Sequence, residues 1–241
     1  MIEREFPAEG LRGLDVEVPR GSVLVRARES GTVRVRAELS RALPSSDFSA
    51  SIENGVLAVK AGRKGLGALK PARRARVVIE APAGLFVRAA VGCGSVQVRS
   101  RRAPVQASVL YGAARARDVE GPLRVLMLRG RASAAGVHGR ADVVLAIGRA
   151  RLRGLRSGAR ILLGSGLCDL GWASVPKDAG VYAVCALGAI RLLFPASARP
   201  RLRALHALGR LANDFPSASG DGLGVRAVLG VGELALAASR G

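Results

Sequence analysis

The chain has 241 residues and a formal net charge of +20, with 49% apolar residues and only 3% aromatics. That length allows one elongated domain or two small ones, with enough apolar material for a sizeable core. No stretch reaches the roughly 18 uninterrupted apolar residues of a membrane helix, and the three cysteines, Cys93, Cys168 and Cys185, follow neither a metal-ligand spacing nor a disulfide framework.

Met1-Ile-Glu-Arg-Glu-Phe-Pro7 has no apolar core of the kind a secretory leader needs, so the sequence reads as cytoplasmic. Residues 1–84 read as short strands with turn signals. Leu14–Val18 alternates, Pro19–Ser22 turns, and Val23–Ala27 and Val33–Ala37 are strands. Asn54-Gly55 stands between two β runs, a strong short hairpin signal. Lys60–Arg74 reads as a basic loop, and Arg76–Pro82 as a strand closed by proline. The expectation for 1–84 is an antiparallel β segment that caps the remainder of the chain, because an open stack of strands exposes unpaired backbone groups.

From residue 85 the chain repeats. Gly94, Gly112, Gly130, Gly148 and Gly166 are each 18 residues apart, the mark of a stacked repeat. Alternate positions before each glycine are apolar in every copy: Val87, Val105, Leu123, Ala141, Ala159; then Ala89, Ala107, Val125, Val143, Ile161; then Val91, Val109, Met127, Leu145, Leu163. After the glycine come Val96, Ala114, Ala132, Ala150, Cys168 and Val98, Ala116, Ala134, Leu152, Leu170. A period of two argues strand, not helix. Each copy reads as two short strands and two turns. Gly188, Gly209 and Gly232 keep the phase at longer intervals, with the extra residues in corner segments near 175–180, 194–197 and 215–220. The predicted fold is an all-β, single-stranded β-solenoid of about eight coils over 85–241. Successive strands would lie about 4.8 Å apart, and crossover handedness favours right-handed coils.

The segments Leu14–Val25, Val77–Pro82, Gly188–Pro195, Leu208–Pro216 and Gly230–Leu236 give the chain a pattern that resembles the bacterial putative adhesin family of uncharacterised β-solenoid proteins. The resemblance spans most of the chain and implies a single-stranded β-helix with an adhesive or envelope-related role. It brings no catalytic residues, because the shared motifs are turn and strand punctuation.

No constellation argues for catalysis, a cofactor or a metal, and an enzyme is not expected. His206 falls in an inward column with Cys185 one coil earlier, without a third ligand. Ser174-Val-Pro-Lys177 lacks the helix that a Ser-x-x-Lys nucleophile needs. Two surface features point to binding. The first is an apolar outer stripe, Leu110, Leu126, Leu128, Val144 and Leu162, suited to a protein partner or to self-association, because a strand apolar on both sides should be covered on both. The second is an arginine wall after the glycines, Arg99, Arg115, Arg117, Arg149, Arg151 and Arg153, suited to nucleic acid or an acidic glycan. The arginine excess has two readings, a basic surface and a coding bias that raises Arg, Ala and Gly together. The leading expectation is a non-catalytic binding or scaffold protein, and the alternative is a polyanion-binding module.

Overall fold

One glycine bends each long strand of this protein. In the computed structural model, which describes residues 1–41, 43–62, 74–174, 180–215 and 223–238, Gly21, Gly94, Gly112, Gly130, Gly148, Gly166, Gly188, Gly209 and Gly232 all have φ between 134° and 145°. Only glycine enters that region readily. The bend reverses which side chains face inward. In the strand Val105–Val119 the buried positions are Val105, Ala107 and Val109 before Gly112, then Ala114 and Ala116 after it. The expected turn between two short strands is therefore a kink inside one continuous strand, whose ladder runs on across the glycine. The fold is an all-β solenoid, and every apolar column named above is buried.

The chain divides into two units, Met1–Gly121 and Pro122–Gly241. The first holds β1 (Ile2–Pro7), β2 (Gly13–Ala27), β3 (Thr32–Leu39), a 3-10 turn (Ser45–Asp47), β4 (Phe48–Glu53), β5 (Val56–Ala61), β6 (Ala75–Ala81), β7 (Phe86–Arg101) and β8 (Val105–Val119). β2, β7 and β8 are parallel rungs, with Gly21 beside Gly94 and Gly94 beside Gly112. Residues before 85 thus supply a full rung of the ladder, which the 18-residue interval did not reveal because 73 residues separate Gly21 from Gly94. On the other side of β2, one coil is made of two strands: β5 pairs with its first arm and β6 with its second, both parallel. Antiparallel strands close the end, β4 on β5 and β3 with β1 on β6. The predicted hairpin is present, with φ of 52° at Asn54 and 75° at Gly55, as a type I′ turn requires. The segments expected at 60–74, 175–180 and 215–220 lie largely outside the described residues.

The second unit holds β9 (Leu123–Val137), β10 (Ala141–Leu155), β11 (Ala159–Trp172), β12 (Val181–Phe194), β13 (Pro200–Asn213) and β14 (Leu223–Ala238). All pair in parallel, in the order β9-β10-β11-β12-β14-β13. The last two rungs are exchanged relative to the chain order that the glycine phase suggested. The inward positions of β14, from Leu223 to Leu236, are apolar and buried. β13 carries His206 and Asn213 at the register positions of Leu229 and Leu236. A polar residue at a core register costs least on an outermost rung, where water is near.

In each unit a further set of buried residues escaped the sequence reading. It closes each coil at the strand's end: Val119 in the first unit, and Val137, Leu155, Trp172 and Phe194 in the second. Trp172 stacks on Phe194 at 4.7 Å between ring centroids and donates its indole N–H to Ser157 O at 2.9 Å. The residue before the column often takes a left-handed conformation, with φ of 54° at Ser100 and Asp118, 64° at Gly136 and 65° at Gly154. That conformation costs an L-residue about 1–2 kcal/mol, while glycine adds about 0.5–1 kcal/mol of chain entropy cost. Ser100→Gly is therefore expected to stabilise the protein by about 0.5 kcal/mol, read from the denaturant midpoint at unchanged slope.

In the first unit the same column is occupied by Arg101, aligned with Val119 and 1% exposed. Its guanidinium donates to Ala81 O (3.0 Å), Pro82 O (2.7 Å) and Leu85 O (2.6 Å). It satisfies the carbonyls of the turn between β6 and β7 and fills the place of a hydrophobe.

Candidate binding face

The second unit carries its outward chemistry in columns, because a parallel in-register stack sets equivalent residues directly above one another. On the outer side of the first arm, Leu126, Val144, Leu162, Val184, Val228 and Leu205 follow one another over six rungs. Val144 is 39% exposed and Leu205 69%; the other four are half-buried. Leu128 lies one step along, between the register pairs Met127–Leu145 and Arg129–Ile147, and is exposed. At the bend, Ile147, Leu187, Val231 and Leu208 add a second exposed apolar set.

The structure therefore brings together four of the five residues expected in the apolar stripe: Leu126, Leu128, Val144 and Leu162. Leu110 is exposed but belongs to the first unit, where the column matching Leu126 reads Glu17, Ala90, Ser108. Val184, Val228 and Leu205 extend the stripe and were missed. Each stands four residues before its bend glycine, as Val144 does before Gly148, so alignment of the longer coils on that glycine would have found them.

The arginine wall falls in two places. In the first unit Arg99 and Arg117 are register neighbours, with Arg26 on the next rung; Arg115 sits beside Gln97. In the second unit Arg149, Arg151 and Arg153 alternate along β10, all exposed. Carboxylates already meet part of this charge. Arg26 bonds Glu80, whose carboxyl is held below its usual value chiefly by that hydrogen bond. Arg117 lies 3.5 Å from Asp118 and Arg151 lies 3.4 Å from Asp169.

Two of the three thiols, Cys168 and Cys185, are buried and offer little chemistry. Burial pushes the Cys168 thiol far up, with Asp169 adding to it, and burial likewise raises Cys185, which donates to Leu187 O at 3.4 Å. A buried protonated thiol is a poor nucleophile. Leu229 separates Cys185 from His206 in the ladder, so the two expected on neighbouring coils are two rungs apart. Among the described residues no group of three or more His, Cys, Asp or Glu could hold a metal ion, and no helix is long and apolar enough to cross a membrane. Ser174-Val-Pro-Lys177 lies largely outside the described residues.

No protein-family model matches the chain, and no curated protein matches it. Among solved structures it is similar to a putative adhesin from Parabacteroides distasonis, at 11% identity and a TM-score of 0.38, covering 98% of this chain and 96% of that one. A putative cell adhesion protein from Clostridium sporogenes matches at 8% identity and a TM-score of 0.28, over 99% of both chains. A putative lipid binding protein from Parabacteroides distasonis matches at 12% identity and a TM-score of 0.29, over 98% and 96%.

Proposed function

We propose that this protein is a non-catalytic binding and scaffold protein that works through contact on the apolar face of its second unit, with a second copy of the chain as the partner. The observation that supports this reading is the six-rung column from Leu126 to Leu205, apolar throughout, with Val144 and Leu205 exposed and the rest half-buried. At about 4.8 Å per rung it is about 24 Å long, and contiguous exposed apolar surface marks interaction sites.

Charge favours one way of pairing. The neighbouring outward column, two residues nearer the strand starts, reads Arg124, Asp142, Arg160, Tyr182, Arg226, Arg203. Two copies packed face to face about an axis parallel to the column would put their arginines on opposite rims. Rotation about the strand direction would set arginine against arginine, which is unfavourable. The arginine wall is the weaker basis for a function, since Glu80, Asp118 and Asp169 already engage three of the arginines that compose or adjoin it.

Light scattering coupled to size exclusion tests the proposal. The protein is expected to run as a dimer at tens of micromolar, and Val144→Asp is expected to weaken the dimer on the order of a hundredfold, because it desolvates an unpaired carboxylate at the contact. Val144 is exposed, so the variant should fold. A protein that stays monomeric at the highest concentration reached, or a dimer indifferent to Val144→Asp, overturns the reading.

A further inference from the structure

We propose a second site in the second unit: a trough that binds a small oligoanion carrying at least two phosphate or sulfate groups. It lies on the polar edge of the same arm, away from the wall of Arg149, Arg151 and Arg153. The cavity there measures about 690 Å³ and is lined by Arg140, Tyr182, Arg201, Arg203 and Arg226 around Gly158, Gly180 and Gly224.

The register explains its shape. Ala141, Ala159, Val181, Val225 and Leu202 lie in one column. The residues just before them are Arg140, Gly158, Gly180, Gly224 and Arg201. Three glycines form the floor, and an arginine stands at each end, four rungs or about 19 Å apart. From the next outward column, Tyr182, Arg226 and Arg203 form one side.

Two independent observations point to a ligand. The first is charge that no described carboxylate meets. Arg201 and Arg203 alternate on β13, and Arg226 is the register partner of Arg203, so three guanidinium groups stand on two adjacent rungs. Among the described residues none of the three has an ion pair or side-chain hydrogen bond. Arg140, by contrast, bonds Asp142 at 3.1 Å, and Arg160 sits 6.0 Å over the Tyr182 ring. Uncompensated like charges repel, and the planar guanidinium fork fits tetrahedral oxyanions in pairs of hydrogen bonds.

The second observation is the floor. A Cβ at Gly158 would lie 2.7 Å from Gly180 O, so packing demands that glycine. A Cβ at Gly180 or Gly224 would meet nothing within 4 Å, and neither residue has a left-handed φ. Backbone geometry and packing therefore leave both positions free for a side chain, yet both are bare, and their bareness is what keeps the trough open. The three guanidiniums gathered at one end call for more than one anionic group.

Calorimetric titration with inorganic tripolyphosphate and with a multiply sulfated disaccharide tests this and separates the two sources. At least one probe is expected to bind saturably at one site per chain, and the tighter one identifies the chemistry. Arg203→Ser with Arg226→Ser should weaken it tenfold or more. Gly224→Leu keeps every charge and should weaken it similarly by filling the floor. Arg149→Ser with Arg153→Ser, the same charge change on the other wall, should leave it within twofold. Non-saturable binding of both probes, or equal losses from the two double variants, overturns the site. Val144→Asp does not touch the trough, so the self-association reading can fail without it.

Discussion

Gly166→Ala is expected to cost on the order of 4–5 kcal/mol of unfolding free energy, an exceptional loss for one methyl group. An alanine Cβ there would lie 1.8 Å from Gly148 O on the neighbouring rung. With φ at 138°, the substitution also forces an L-residue into a region that costs about 1–3 kcal/mol. Relief of the clash separates two rungs and lengthens ladder hydrogen bonds worth about 1 kcal/mol each. Gly224→Ala in the same unit is the matched control, since its Cβ meets nothing and its φ is ordinary; it should change stability by less than about 0.5 kcal/mol. Urea unfolding of the two variants decides the matter. Similar midpoints would mean that the glycine column is not what lets the rungs approach.

Arg101→Met is the second large effect. Methionine fills much of the same volume but leaves the carbonyls of Ala81, Pro82 and Leu85 without their donor. Each buried carbonyl so orphaned costs about 1–3 kcal/mol, set against relief from holding a cation out of water, so a net loss of about 3 kcal/mol is expected. Arg101→Lys should recover only part of it, because one ammonium cannot reproduce a planar fork across three acceptors. Burial lowers the Arg101 guanidinium from its ordinary value to about 10. Between those values the unfolded chain binds the proton more readily, so stability from this group rises with pH there and is flat below. The cost of Arg101→Met should accordingly be constant from pH 6 to pH 9. A cost that varies across that range, or a variant as stable as the wild type, would show that Arg101 does not work as a charged donor.

Much of this protein was legible in its one-dimensional pattern, for a physical reason. In a stack of in-register rungs each column is a period in the sequence, so the interval between Gly94 and Gly166 named the bends, and the alternation around them named the core. Val91, Val109, Leu145 and Leu163 are buried where that alternation put them. The same logic found most of the apolar stripe, because Leu126, Val144 and Leu162 repeat at the same interval. What it lost were the places where the interval breaks. Gly21 belongs to the ladder but stands 73 residues from its neighbour, and Val184, Val228 and Leu205 sit in coils of other lengths.

Local sequence sufficed to specify the rung: its length, its glycine bend, its inward side chains and the type I′ hairpin at Asn54-Gly55 all come from backbone sterics and apolar periodicity. Which rungs touch was a matter for the folded stack. Folding placed β14 between β12 and β13, made one coil from β5 and β6, and turned Arg101 inward onto three carbonyls. It also gathered Arg201, Arg203 and Arg226 over a floor of bare glycines. Those outcomes depend on which strands pair and on what covers each carbonyl and charge. Pairing across tens of residues is settled by the packing and solvation of the whole stack, which no short window of residues contains.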